Sequence, residues 1–232
     1  MALVYLIPAP LHDESTFVLP AYVLDAVKAC NVLFAENERT ARRFLKKLDP
    51  AIVIDSFEWF TIHKAEDAVR QQLIQKLKEG KTIGIISEAG CPGIADPGQL
   101  LVETAWQQHA RVKPLVGPSS ILLALMASGF NGQQFSFQGY LPVDAVQRNR
   151  KLKQLDELSA REKSTQIFIE TPYRNQQLLD AIVKSCHPRS RLCVAVDLTA
   201  PTEEIHVATI GQWKQKKTDL HKRPAIFLLY AG

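Results

Sequence analysis

The chain has 232 residues, 46% of them hydrophobic and 22% charged, which suits a soluble globular enzyme of one large or two modest domains and excludes a disordered or fibrous protein. The net charge of +4 is compatible with an anionic partner but far from the density of a dedicated nucleic-acid tail. Cys30, Cys91, Cys186 and Cys193 show no C-x-x-C spacing and the six histidines form no H-x-x-x-H pair, so no metal site is expected.

Leu3–Ile7 is a continuous apolar run, as in a strand buried on both faces, and it ends in the rigid loop PAPLHDEST. No basic leader precedes it and no run approaches the ~20 apolar residues that span a bilayer, so a reduced cytoplasmic setting is the expectation. Pro20 suits the first turn of a helix over 21–29. Val32–Ala35 reads as a second strand, ENERTARRFLKKL as a helix and Ile52–Ile54 as a third strand. After a loop holding Trp59 and His63, Glu66–Lys78 has Val69, Leu73, Ile74 and Leu77 at helical spacing.

Thr82–Ile86 is the next strand, and it stops in the densest stretch of special backbone requirements in the chain, Gly84–Gly98 (GIISEAGCPGIADPG). Strand, Gly/Pro loop and then helix is how α/β enzymes hold a ligand at a strand's carboxyl end. Pro92 and Pro97 would stiffen such a loop in advance; the alternative is a tight strand-to-helix connection in which Asp96 caps the following helix. Arg111–Val116 is a strand, and GPSS leads into a helix, Ile121–Ser128, where Ser119 or Ser120 either caps the helix or lines a site. Strict β-α alternation to this point predicts a mostly parallel sheet.

The second half reads as a strand at Phe135–Gln138, a charged helix over 144–163, a strand at Gln166–Ile169 and a helix from Gln176 to Ser185. Strands follow at Leu192–Asp197, Glu204–Ile210 and Ala225–Tyr230, with little helix between the first two. That is a mixed sheet with antiparallel pairs. The fold class is therefore α/β, with two α/β domains, 1–115 and 116–232, facing each other across a cleft.

ETPYRN at Glu170–Asn175 places a carboxylate directly after a strand, either a ligand-orienting acceptor or a surface charge. Arg39, Arg42, Arg43, Lys46 and Lys47 share one helix, and Arg148, Arg150, Lys151 and Lys153 form a second basic cluster. Such faces are either solvated or make salt-sensitive phosphate contacts. Cys91 has no histidine near it in sequence and reads as a small filler rather than a nucleophile. His12 and Asp13 are weak candidates in the first loop. There is no G-x-G-x-x-G after the first strand and no phosphate-binding G-x-x-x-x-G-K-[ST] loop.

SEAGCPGIADPG, VKPLVGPSS, FSFQGYLP, IFIETPYRN and VAVDLTAPTEE, in this order, resemble the tetrapyrrole methylase superfamily, and within it the branch of small-subunit ribosomal RNA methyltransferases that act on a cytidine ribose 2′-hydroxyl. The resemblance implies a homodimer with S-adenosylmethionine between two α/β domains, and ribosomal RNA or the small subunit as partner. By position it implies cofactor contacts at Pro10, Ala89, Gly90, Cys91, Ile94, Ser119, Ser120, Glu170, Leu198 and Ala225. Glu36 or Glu170 is the candidate general base, and Arg39 and Arg174 the candidate phosphate ligands. The chain departs from the branch's pattern in the first loop, where Ala9-Pro10-Leu11-His12-Asp13 replaces T-P-I-G-N, at Asn37 in place of an aspartate, and at Tyr173 in place of a histidine. Rival readings are methylation of a tetrapyrrole or other small molecule, and a SAM- or RNA-binding protein without catalysis.

Overall fold

In a computed structural model, residues 2–62, 66–95 and 98–232 are described. The chain divides into two compact units, Met1–Ser119 and Ser120–Gly232.

In the first unit, β1 (Leu3–Ile7), β2 (Val32–Ala35), β3 (Glu58–Thr61), β4 (Thr82–Ile86) and β5 (Arg111–Pro114) form one sheet in the order β3-β2-β4-β1-β5, with every pair parallel. Parallel strands need long crossovers, supplied by α1 (Tyr22–Lys28), α2 (Glu38–Leu48), α3 (Glu66–Lys78) and α4 (Gln99–Gln107). Strand alternation splits the apolar side chains between two faces. Ile7, Leu33, Ala35 and Ile86 pack with Val23 and Val27 of α1 and Phe44 and Leu45 of α2. Val4, Val32, Phe34, Ile83 and Ile85 pack with Leu73 of α3 and Leu101 of α4. The adjacent strands β1 and β4 thus send their chains to opposite faces, the arrangement at which parallel α/β sheets hold ligands beyond the strands' carboxyl ends.

One expected strand is absent. Ile52–Ile54 is too short an apolar run to pair, and its backbone is used in local turns: Ile52 N–H donates to Asp49 O, Ser56 to Val53 O and Phe57 to Ile54 O. Ile52 instead fills the core beside α2. The third strand lies farther on, and Trp59, expected in a loop, sits in it with its indole N–H on Ile54 O at 3.1 Å. His63 lies outside the described residues, as do Asp96 and Pro97 of the glycine-rich loop.

The second unit holds α5 (Ser120–Ser128), β6 (Phe135–Tyr140), α6 (Ala145–Glu162), β7 (Thr165–Ile169), α7 (Asn175–Ser185), β8 (Arg191–Val196), β9 (Glu204–Thr209), α8 (Ile210–Trp213) and β10 (Ala225–Tyr230). Its sheet runs β6-β7-β10-β8-β9; β6 and β7 are parallel and the other pairs antiparallel. A core of Leu152, Phe168, Leu178, Ile182, Val194, Trp213 and Phe227 joins α6, α7 and α8 to one sheet face. Among the described residues no helix is long and apolar enough to cross a membrane.

Candidate functional site

Three loops leave the carboxyl ends of the neighbouring strands β4, β1 and β5 and meet. Ala9 and Gly90 exchange two backbone hydrogen bonds, Ala9 N–H to Gly90 O at 2.9 Å and Gly90 N–H to Ala9 O at 3.0 Å. Gly90 has φ of +77°, and a Cβ there would lie 3.4 Å from Pro118 O. Gly117 packs directly on Pro8, where an added Cβ would meet the ring at 2.1 Å. The Cys91 thiol donates to Pro118 O at 3.5 Å, and Val116 N–H donates to the Tyr22 hydroxyl at 2.6 Å. Burial pushes the Cys91 thiol up, which keeps it protonated and supports its reading as a filler.

Pro10, Ala89, Gly90, Cys91, Ile94 and Ser119 therefore belong to one loop cluster. Pro10 and Gly90 are buried, while Ala89 and Ile94 are exposed. Glu36 directly follows β2, the strand beside β4, so it lies at the same end of the sheet as the loop that follows β4. Asn37 is the N-cap of α2, its Oδ1 accepting from Thr40 N–H at 3.2 Å.

The basic face expected on α2 is mostly committed to structure. Arg42 pairs with Glu38 and Asp55 and lies 5.2 Å over the Trp59 ring; Lys46 donates to Pro50 O and Lys47 to Asp13 O. Arg39 and Arg43, one turn apart and exposed, have no such partner among the described residues. The second expected cluster also shrinks. Arg148 is buried, with its guanidinium on Val143 O, because it lies on the face of α6 that packs into the unit.

In the second unit, Glu170, Leu198 and Ala225 come together at one end of the sheet: Ile226 pairs with Ile169, and Ala225 with Val196. Glu170 is buried, and its Oε1 accepts from Arg174 Nη2 and Thr171 N–H, both at 2.7 Å. The candidate base and the candidate phosphate ligand are thus each other's partner, which explains how a carboxylate tolerates this burial. Asn175, buried behind them, donates from Nδ2 to Arg223 O at 2.6 Å. Ser120 opens α5 of this unit.

The sequence reading missed a second ionic network at that end. Arg223 donates to Asp197 Oδ2, Glu204 Oε1 and Thr202 O at 2.8–2.9 Å, and the Asp197 carboxylate followed by Glu204 holds it firmly protonated. Its signal was present: Asp197 follows a strand directly, as Glu170 does. The site residues fall into two groups, one per unit.

Residues 4–214 match the family described as Tetrapyrrole (Corrin/Porphyrin) Methylases. The chain belongs to that family. It is 32% identical to the ribosomal RNA small subunit methyltransferase I of Mesorhizobium japonicum over 89% of this chain and 67% of that protein. It is also 32% identical to the protein of the same name from Xylella fastidiosa, covering 96% and 81%. Among solved structures it resembles the methyltransferase CobJ, with a TM-score of 0.65 at 16% identity, covering 99% of this chain and 93% of that one. A uroporphyrin-III C-methyltransferase from Thermus thermophilus, complexed with S-adenosyl homocysteine, has a TM-score of 0.58 at 16% identity, covering 98% and 96%.

This member of the family is an S-adenosylmethionine-dependent methyltransferase. Its first-unit loops suit that donor. Residues 8–11, 87–95 and 115–119 carry a single charged side chain, the carboxylate of Glu88. A cationic sulfonium is compatible with that surround.

Proposed function

We propose that the protein methylates small-subunit ribosomal RNA, at the ribose 2′-hydroxyl of a cytidine. The observation that carries this reading is similarity along nearly the whole chain to proteins named ribosomal RNA small subunit methyltransferase I, 28% identical over 97% of the chain in Escherichia coli O157:H7. The exposed pair Arg39 and Arg43 supports it, since a polyanion needs cations that a small planar substrate does not. A cytoplasmic, homodimeric enzyme is the form this reading assigns.

In it, Pro10, Ala89, Gly90, Cys91, Ile94 and Ser119 hold the methyl donor, chiefly through backbone groups, and Ser120, Glu170, Leu198 and Ala225 are the second unit's contributions. Bound S-adenosylmethionine supplies an electrophilic methyl group. Fixing the loops in advance through the Ala9–Gly90 pair and the Gly117–Pro8 contact favours a collinear approach of the hydroxyl oxygen, which supplies several kcal/mol of barrier reduction. A ribose hydroxyl is a poor nucleophile, and a carboxylate that takes its proton adds roughly 10²–10⁴-fold. Glu36 is the favoured base because it follows β2 at the end of the sheet from which the donor loops leave. Glu170, whose Oε1 is engaged, would act through Oε2. Arg39 and Arg174 hold substrate phosphate.

The test is transfer of labelled methyl from S-adenosylmethionine to small ribosomal subunits, free ribosomal RNA and a carboxylated porphyrin in parallel. Label in RNA, lost about 10²-fold or more in Glu36→Gln, is the expected result. Label in the porphyrin alone would overturn the substrate, and near-normal turnover of Glu36→Gln would overturn the base.

A further inference from the structure

An aromatic ring that neither fills the core nor caps a backbone group needs another reason to be held in one place. Tyr173 is 73% exposed, yet every neighbour of it is pinned. Arg174 is fixed by Glu170 and Asn175 by Arg223 O, and Pro172 stiffens the preceding turn while its carbonyl accepts from Lys222 N–H at 3.2 Å. Lys222 itself sits at φ +60°, a left-handed conformation that costs a non-glycine residue free energy, and its ammonium lies 6.0 Å from the Tyr173 ring centroid. The other rings that carry a cation among the described residues, Tyr5, Trp59, Phe130, Trp213 and Tyr230, are buried or half-buried. Tyr173 is the one on the surface.

The loop leading to Lys222 adds charge. Lys214, Lys216, Lys217 and Lys222 are all exposed, against the single carboxylate of Asp219 between them. An exposed aromatic with an ammonium beside it offers what an unpaired nucleotide requires: a face for the base and a cation for a flanking phosphate. The position is also relevant, because Tyr173 lies three residues from Glu170, at the end of the sheet that holds Leu198 and Ala225.

We propose that Tyr173 and Lys222 form a subsite for one unpaired nucleotide of the RNA substrate, with the base stacked on the Tyr173 ring and the flanking phosphates met by Lys222 and the lysines of its loop. This inference rests on the ribosomal RNA reading and goes beyond it by naming single-stranded RNA as the form recognised.

The experiment measures binding of the full chain to a labelled single-stranded RNA, to the same sequence in a duplex and to a carboxylated porphyrin, over a range of salt. Tyr173→Ala is expected to weaken single-strand binding by about tenfold, within the range that loss of one stacked base produces, while Tyr173→Phe stays close to wild type. Lys222→Ala is expected to reduce the slope of log affinity against log salt by about 0.7, the value for one phosphate contact on a single strand. Affinity for S-adenosylmethionine and the melting temperature should not move in either variant, which separates a lost contact from a damaged fold. Wild-type RNA binding that Tyr173→Ala leaves intact would overturn the subsite alone. A wild-type chain that binds neither RNA form would overturn the ribosomal RNA reading as well. Loss of porphyrin binding but not of RNA binding in Tyr173→Ala would assign the platform to a planar small molecule and overturn the proposal.

Discussion

At Gly117 a hydrogen atom stands where any other residue would place a methyl group inside the Pro8 ring, so the β1 and β5 loops can touch only if position 117 is glycine. Gly117→Ala must separate the loops and is expected to cost about 1–3 kcal/mol, as overpacking does, together with a weakened affinity for S-adenosylmethionine. Gly132 has nothing within 4 Å of its would-be Cβ, and Gly132→Ala is expected to stay within about 0.5 kcal/mol of wild type. Denaturant midpoints and donor titrations of the two variants check the contrast. Sequence alone marked the glycine-rich stretch around Gly90 as special, but it treated Gly117 only as the first residue of a turn that either caps a helix or lines a site. Which glycine is held by close approach depends on Pro8, more than a hundred residues away along the chain.

Helix α2 shows how an element absorbs residues that look functional in the sequence. Three of its five cations are held by Glu38, Asp55, Trp59, Pro50 O and Asp13, and only the geometry of the packed helix reveals those partners. Asn37 stood out as a departure from the family's aspartate, and its observed task is to cap α2. Asparagine and aspartate cap about equally well, so Asn37→Asp should leave stability and turnover close to wild type, whereas Asn37→Ala should cost about 1 kcal/mol. Thermal unfolding and initial rates measured side by side decide this. A large change of turnover in Asn37→Asp with unchanged stability would place the side chain in the chemistry instead of the cap. The displaced third strand belongs to this scale as well. The apolar run Ile52–Ile54 reads as the strand in the sequence, but it is the longer segment Glu58–Thr61 that pairs with β2, Val32 with Glu58 through Ala35 with Thr61.

At the scale of the molecule, each unit encloses its own apolar core, and the loops proposed to hold the methyl donor are joined to one another by backbone bonds and a glycine contact. A ligand that bridges such loops binds the native state and not the unfolded chain. S-adenosylmethionine at about 100 times its dissociation constant should therefore stabilise the protein by roughly 2.7 kcal/mol, read as a concentration-dependent rise in melting temperature. A melting temperature unmoved by S-adenosylmethionine at concentrations that support turnover would contradict a preformed donor site in these loops.

The alternation of short apolar runs with amphipathic segments determined, without any coordinates, that the first half is a parallel α/β sheet and the second a mixed one. Both follow from local periodicity and from the connection lengths that parallel and antiparallel strands require. The order of motifs likewise determined the family, since the Gly84–Gly98 stretch, GPSS and ETPYRN carry backbone constraints that survive in the sequence as glycine and proline. What tertiary structure alone decided is the use to which individual polar side chains are put. Glu170 and Arg174 pair with each other, Arg148 turns inward, and Lys222 is folded back beside Tyr173. Ion pairs, burial and ring contacts depend on neighbours distant in the chain, and a side chain's charge is the same in the sequence whether it ends against solvent, a carbonyl or an aromatic face.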